Sequence, residues 1–370
     1  MKTVVELIGR IQDGGAETLI KDYALLLDKK EFRTVIVCDF AVKKSATYKI
    51  LKDNNVEIVE LYGKFTTVYR ILSRLFGRRL NASLFKKRIK DINPDIIHAH
   101  LECLETLYNA RDSLNGIKLF YTCHNLPETL IGNIAPKERD AARYLIDHND
   151  LKVIALHEDM AEEIENRFDI DNVEVIRNGI DFKRYEDIKM SKEEIRKNIG
   201  IDEDAYVLGY VGRLSYQKNP EFVVDVFNEI LKTNKKAVLL IVGNGKLEKD
   251  IKKKVSNLGI NDNVIMLSHR DDVPELMKAM DVFVFPSRYE GLGIVLIEAQ
   301  VSELPCVVSE NIPKEAFQSN LITVLSLDDS LQNWSDACLD PQCNIDEYGD
   351  INDYDMNKEI IKLEKLYLSA

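Results

Sequence analysis

Residues 281–309 read "DVFVFPSRYEGLGIVLIEAQVSELPCVVS". A short apolar run opens the stretch and Pro286 stops it, since proline has no amide to give to a ladder. "RYEGLG" then turns the chain, "IVLIEAQ" reads as a helix, and "PCVVS" is a second apolar run. Strand, turn, helix and strand in so short a span describe a parallel βαβ unit, because parallel neighbours need a crossover and a helix usually provides it.

The same rhythm extends outward in both directions. Upstream lie "YVLGYVGRL", helical "PEFVVDVFNEILKT", "AVLLIVG", helical "KLEKDIKKKVSNLG", "NVIMLS" and helical "DDVPELMKAM". An earlier series runs "KTVVELIG", helical "AETLIKDYALLLDK", "TVIVCDF", "PDIIHAH", "KLFYTCH", "KVIALH", helical "EDMAEEIENRF" and "VEVIRNGID". Strands alternating with helices predict doubly wound parallel sheets. The chain has 370 residues, more than one core usually serves, so two such domains are expected. The charged, strand-free "GIDFKRYEDIKMSKEEIRKNIGID" separates the two series. The expected domains are therefore 1–182 and 183–356, with a closing helix at about 357–370.

Composition narrows the classes. The chain is 45% hydrophobic and 30% charged, as a soluble globular protein is. It has no apolar run long enough to span a bilayer. "MKTVVELIGR" meets charge too early to act as a signal peptide. The six cysteines are scattered without a C-x-x-C pair, which suits reduced thiols and offers no zinc cage. Net charge is −12, yet residues 64–90 hold nine Lys/Arg and no acid, interleaved with apolar residues at helical spacing. Two readings of that segment stand: a core-facing helix with a solvated basic face, or a surface for anionic lipid. No nucleic-acid motif accompanies it, and nucleic acid is not an expected partner.

In doubly wound sheets, ligands sit beyond the carboxyl ends of the strands, and two such sheets facing each other make a cleft. Gly14 and Gly15 follow the first strand, where backbone amides can approach a ligand, although an ordinary tight turn is the favoured reading of "DGGAE" alone. Arg213 and Lys218 follow "YVLGYVG", and two readings stand: solvated surface charge, or a diphosphate site with one as a fork and one as a point charge. Asn244 sits between Gly243 and Gly245 at another strand end. Glu290 precedes the helix of the opening stretch, where ordinary capping or dipole pairing also accounts for a carboxylate. The amides of Gly291, Leu292 and Gly293 face out of its N-terminus as an anion site. Glu298 falls in the second turn among apolar neighbours, so a buried carboxylate in need of partners is expected there, and a ligand diol is one candidate. His98, His100 and His124 all end strands. Core histidines with satisfied hydrogen bonds are the ordinary reading, while His124 precedes the loop "NLPE" and should face the cleft. His157 is a weaker candidate of the same kind.

In order along the chain, "GGAET", "VIRNGID", "GRLSYQK", the G-x-G strand end, "PSRYEGLGIVLIEA" and "ELPCVVS" resemble the retaining, nucleotide-sugar-dependent glycosyltransferases of family four, over residues 4 to about 317. The phrasing is most similar to bacterial capsular and exopolysaccharide enzymes. The resemblance implies a GT-B fold, two Rossmann-like domains facing a cleft, with the C-terminal helix at about 357–370 crossing back onto the first. It implies no cofactor and no metal, with a nucleotide diphosphate sugar as donor substrate, UDP-linked by expectation. The acceptor would be a glycan or a polyprenyl-diphosphate-linked sugar. A cytoplasmic enzyme is expected, peripheral on the inner membrane face if residues 64–90 meet anionic lipid. Arg213 and Lys218 would hold the diphosphate and Glu298 the ribose. Glu290 and the amides of residues 291–294 would meet the sugar and phosphate. His124 would stand at the reaction centre, and Gly14 and Gly15 beside phosphates and acceptor. The chain departs from the family pattern in three places: His157 stands where serine is usual, Arg177 where proline is usual, and Glu303 where glycine is usual. A same-fold sugar-nucleotide epimerase, a glycoside hydrolase with Glu290 and Glu298 as its pair, and a non-enzymatic binding module are the competing readings.

Overall fold

The computed structural model describes residues 1–63, 79–124, 136–171 and 173–369. The chain divides into two compact units, 1–179 with 356–370, and 180–355. Each is built on one parallel sheet.

The first unit holds strands β1 (Lys2–Ile11), β2 (Phe32–Ala41), β3 (Glu57–Glu60), β4 (Ile96–His100), β5 (Lys118–Thr122), β6 (Lys152–Ala155) and β7 (Glu174–Val175). They are ordered 3-2-1-4-5-6-7. The second unit holds β8 (Val207–Val211), β9 (Val238–Val242), β10 (Val264–Leu267), β11 (Val282–Phe285), β12 (Cys306–Ser309) and β13 (Ile322–Leu325). Their order is 10-9-8-11-12-13. Both sheets reverse direction once, between β1 and β4 and between β8 and β11, which is the doubly wound plan. Helices cover both faces, so the central strands are apolar without alternation. Val207–Val211 is buried at every position.

Two short strands escape the sequence pattern. β3 reads "EIVE" and β13 reads "ITVL", and each lies at a sheet edge. An edge strand has one ladder and partial burial, so its hydrophobic signal is weak. Of the basic segment, residues 64–78 lie outside the described residues. Its second half falls in the helix Arg79–Ile92. Ala82, Phe85 and Ile89 face the core of the first unit, and Lys87, Arg88 and Lys90 face solvent. Over those residues the ordinary reading, a core-facing helix with a basic outer face, describes the structure. Among the described residues no helix is long and apolar enough to cross a membrane.

The chain leaves the first unit at Gly179 and rejoins it at Met356. The crossing is so close that a Cβ on Gly179 would strike the Met356 backbone. The helix Met356–Ser369 then buries Met356, Ile360, Leu363 and Tyr367 against Val4, Ile96, Phe120 and Ile154 of the sheet. Four such side chains supply about 2 kcal/mol each before entropic costs.

The three departures from the family pattern each have a local physical role. His157 is the N-cap of the helix Glu158–Phe168, its Nδ1 accepting from the Met160 amide at 3.2 Å. A serine hydroxyl would accept the same bond. Arg177 keeps the amide that proline lacks, and that amide donates to Glu359 Oε2 of the C-terminal helix at 2.8 Å. Its guanidinium grips Glu158 at 2.7 and 2.9 Å. Glu303 takes φ of 57°, in the left-handed region. The Leu304 and Glu303 amides donate back to Ala299 and Gln300. That is a Schellman termination, which asks for glycine at this place and here holds a glutamate under local strain.

Replacing the cap tests its role. His157→Ala should lower the unfolding free energy by about 1 kcal/mol and His157→Ser by less than about 0.5 kcal/mol in urea denaturation. Equal losses in both variants would show that capping is not what His157 contributes.

Candidate active site

In the second unit the switch point brings together two loops that are far apart in sequence. β8 and β11 are neighbours, paired in parallel at Val282–Leu208 and Phe283–Gly209. The loop after β8 carries Arg213 and Lys218, and the loop after β11 carries Glu290. Lys218 Nζ lies 2.7 Å from Glu290 Oε1 and 2.8 Å from Oε2, with only the second in hydrogen-bond geometry. Their side chains are 18% and 5% exposed, which makes this a largely desolvated pair. The ammonium also stands 4.8 Å from the centre of the Phe285 ring.

Neighbouring contacts stitch the two loops into one surface. The Arg288 amide donates to the Gln217 carbonyl at 2.8 Å, and Gln217 Nε2 donates to the Tyr289 carbonyl at 3.0 Å. The Arg288 guanidinium donates to Asn219 Oδ1 at 3.0 Å and lies over the Tyr216 ring at 4.5 Å. Burial lowers the pKa of Lys218, as does the positive charge of Arg213, and Glu290 opposes both. Arg213 itself is exposed. Two buried hydroxyls in these loops, Ser215 and Ser287, have no hydrogen-bond partner among the described residues.

The G-x-G strand end has a structural use. A Cβ on Gly243 would collide with the Gly212 carbonyl, and one on Gly245 with the Leu214 carbonyl. Leu214 N–H in turn donates to the Asn244 carbonyl at 2.9 Å. The glycines therefore let the loop after β9 lie against the loop after β8, which leaves Asn244 half-buried beside it.

After Glu290 the helix Ile294–Val301 begins from Gly293, whose φ of 83° requires glycine, and no side chain caps it. The space where a Cβ on Gly291 would stand is open. Glu298 differs from the sequence expectation. It is half-buried, in line with Ile294 and Val301, while Val295, Leu296, Ile297, Ala299 and Gln300 fill the core. An apolar run conceals this stripe because Ile294 and Val301 are themselves apolar though only partly covered.

In the first unit Gly14 is the N-cap and Gly15 the first residue of the helix Gly15–Leu26. The space at Gly15 is open, whereas the carboxylate of buried Glu17 occupies that of Gly14. His124 follows β5 and stays partly exposed. Its Nε2 lies 2.9 Å from His100 Nδ1, and His100 Nε2 lies 2.7 Å from Glu6 Oε2. His98 bonds Tyr367 Oη at 2.6 Å and Thr122 Oγ1 at 2.7 Å. His98 and His100 are thus satisfied core histidines. Glu6 and Tyr367 are polar members of this cluster that the sequence reading passed over. The signal for Glu6 was present: one carboxylate inside the apolar strand "VVELIG". Burial pushes the Glu6 carboxyl up to about 7, against the pull of His98 and Tyr367. Burial holds His124 well below the usual histidine range, reinforced by His100.

Two doubly wound parallel sheets in succession are the plan of the GT-B fold. Two family models match the chain: "Glycosyltransferase Family 4" over residues 13–184 and "Glycosyl transferases group 1" over residues 191–320. Together they span more than half of it, and the chain belongs to this family of glycosyltransferases. It is 26% identical over 346 residues to the EpsF protein of Bacillus subtilis (strain 168), covering 91% of this chain and 86% of that one. It is 25% identical over 366 residues to the UDP-Gal:alpha-D-GlcNAc-diphosphoundecaprenol alpha-1,3-galactosyltransferase of Escherichia coli, covering 93% and 90%. Among solved structures it superposes on Anabaena Alr3699/HepE in complex with UDP and glucose, with a TM-score of 0.74, 20% identity and full coverage of both chains.

The ion pair can be weighed by a double-mutant cycle. Lys218→Met and Glu290→Leu should each destabilise the fold by about 3 kcal/mol, because each leaves a desolvated charge alone. The double variant should cost clearly less than the sum. Additive losses in guanidinium denaturation would mean that the two groups do not depend on each other.

Proposed function

We propose that this glycosyltransferase moves a sugar from a UDP-linked donor to a glycan or polyprenyl-diphosphate-linked acceptor, with retention at the anomeric carbon, in the synthesis of a cell-surface polysaccharide. The observation that carries this reading is the gathering of Arg213, Lys218, Glu290 and an uncapped helix N-terminus at one switch point. Such a set answers a diphosphate joined to a polyhydroxylated ring. The leaving diphosphate develops charge as the glycosidic bond breaks, and fixed cations with helix amides lower the energy of that charge without reorganising. Arg213, Lys218 and the amides of Gly291, Leu292, Gly293 and Ile294 take that part. On this reading no metal is required. Arrival of the diphosphate gives Lys218 a second anionic partner, which frees a Glu290 oxygen for the sugar hydroxyls. The unpartnered hydroxyls of Ser215 and Ser287 suit the same polar ligand. Glu298, half-exposed one turn further on, takes the ribose diol, and Asn244 adds a donor-side contact. From the first unit, His124 acts at the reaction centre, and Gly14 and Gly15 leave room for phosphate and acceptor.

Two relatives support the substrate class. The Escherichia coli relative is named for UDP-galactose and a diphosphoundecaprenol-linked acceptor, and HepE was captured with UDP and glucose. The outward basic residues Lys87, Arg88 and Lys90 suit a peripheral contact with anionic lipid on the cytoplasmic face, where such an acceptor would be embedded. A hydrolase is disfavoured because Glu290 is held in an ion pair by Lys218 at 2.7 Å.

A panel of UDP-sugars assayed for UDP release, with NMR of the product anomer, tests the proposal. The matched donor should turn over in the presence of EDTA and yield the donor's own anomeric configuration. Arg213→Ala and Glu290→Gln should each lower kcat about a hundredfold or more while the fold persists. Wild-type turnover in Arg213→Ala, or an inverted product, would refute it.

A further inference from the structure

The buried cluster behind His124 is larger than a single histidine requires. Glu6 lies at the centre of β1, fully buried, opposite His98 of β4 and Ile36 of β2. Parallel pairing of β4 with β5 sets His100 level with Thr122, two residues before His124. The result is an unbroken run of short bonds, Glu6 Oε2 to His100 Nε2 at 2.7 Å and His100 Nδ1 to His124 Nε2 at 2.9 Å. Each neutral imidazole carries one proton on one nitrogen, so choosing the direction of one bond fixes the direction of the next.

We propose that Glu6 and His100 are positioning residues that set the tautomer of His124, so that its Nδ1 is presented as a proton acceptor when Glu6 is ionised. This rests on the reading of His124 as a group at the reaction centre. With Glu6 a carboxylate, His100 Nε2–H donates to it. His100 Nδ1 then accepts from His124 Nε2–H, and His124 Nδ1 is left without a proton, able to receive the hydrogen bond of a sugar hydroxyl. Tyr367 of the C-terminal helix holds the other end, its hydroxyl donating to Glu6 Oε1 at 3.3 Å. Thr122 can donate to His98 Nε2, and His98 Nδ1–H to Tyr367 Oη, so one set of directions satisfies the whole cluster.

Uptake of one proton by Glu6 reverses the chain. Glu6 then donates to His100 Nε2, His100 Nδ1–H donates to His124 Nε2, and the proton of His124 sits on Nδ1. Both imidazoles stay neutral throughout: one proton is gained and two change nitrogen. The groups facing Glu6 are His98 and His100 from β4, Tyr367 from the C-terminal helix and Ile36 from β2. Tyr23 of the helix Gly15–Leu26 stacks on His98 at 5.9 Å. The Glu6 carboxyl, raised to about 7 by burial, places the reversal near that pH.

Histidine-selective ¹⁵N NMR of the intact protein, without substrate, tests this. Well above that pH His124 should show a protonated Nε2 and a bare Nδ1, and well below it the opposite, with both nitrogens never protonated together. Glu6→Gln should abolish the reversal, and His100→Phe should leave His124 a mixture of tautomers at every pH. If His100→Phe does not fold, Glu6→Gln alone decides. An unchanged tautomer across pH in the wild type, the same reversal in Glu6→Gln, or one zinc ion retained per chain by Glu6, His98 and His100 would overturn the proposal. In the kinetic arm, at pH above the reversal, Glu6→Gln should lower kcat about tenfold or more with KM for the donor within about threefold. Absence of transfer by the wild type would refute the proposed function and leave the NMR result to stand by itself.

Discussion

A parallel strand cannot turn back on itself, so every ladder neighbour in these sheets is reached through a crossover, and each sheet must reverse its winding somewhere. Where β8 meets β11, the crossovers on the two sides run to opposite faces, and the loops at the strand ends are left facing each other. The Lys218–Glu290 pair occupies that opening. A lysine with little solvent and a carboxylate with less stand together there, with the ring of Phe285 4.8 Å from the ammonium. The G-x-G after β9 serves the same opening by letting one loop rest on another, and Gly293 starts a helix whose amides look into it.

The first unit solves a different problem with the same topology. Its switch point, between β1 and β4, holds a carboxylate and two histidines inside the sheet layer itself, where an unpaired polar group would be costly. The cost is offset by complete bonding: Glu6, His98, His100, Thr122 and Tyr367 satisfy one another. Because Tyr367 comes from the returning C-terminal helix, this cluster cannot be complete until the last residues of the chain have docked. The Arg177 amide fastens the same helix through Glu359, at the position where a proline would offer no donor.

Much of the fold was legible in the residues. Helices 158–168 and 220–233 are legible to their bounds, since apolar spacing marks both and proline starts the second. β3 and β13 were not legible, because short edge strands carry too little burial to leave a pattern. Glu298 misled for a related reason: a helix made of apolar residues looks buried on every side, although one stripe of it is only half covered. His157 and Glu303 stood out as departures from a family pattern, and each holds a backbone role: a histidine nitrogen caps a helix as a serine would, and a glutamate closes a helix in a conformation that favours glycine.

By itself the sequence determined the alternation of strands and helices, the two-sheet plan and the residue types at the strand ends, because periodicity, proline and glycine act within a few residues of their own positions. Which of those strand-end groups meet was decided only by tertiary structure. Lys218 and Glu290 are separated by 72 residues, and Glu6 and Tyr367 by 361, and no local rule links them. Their pairing follows from strand order and helix docking, which lie in the packing of whole elements rather than in any stretch of the chain.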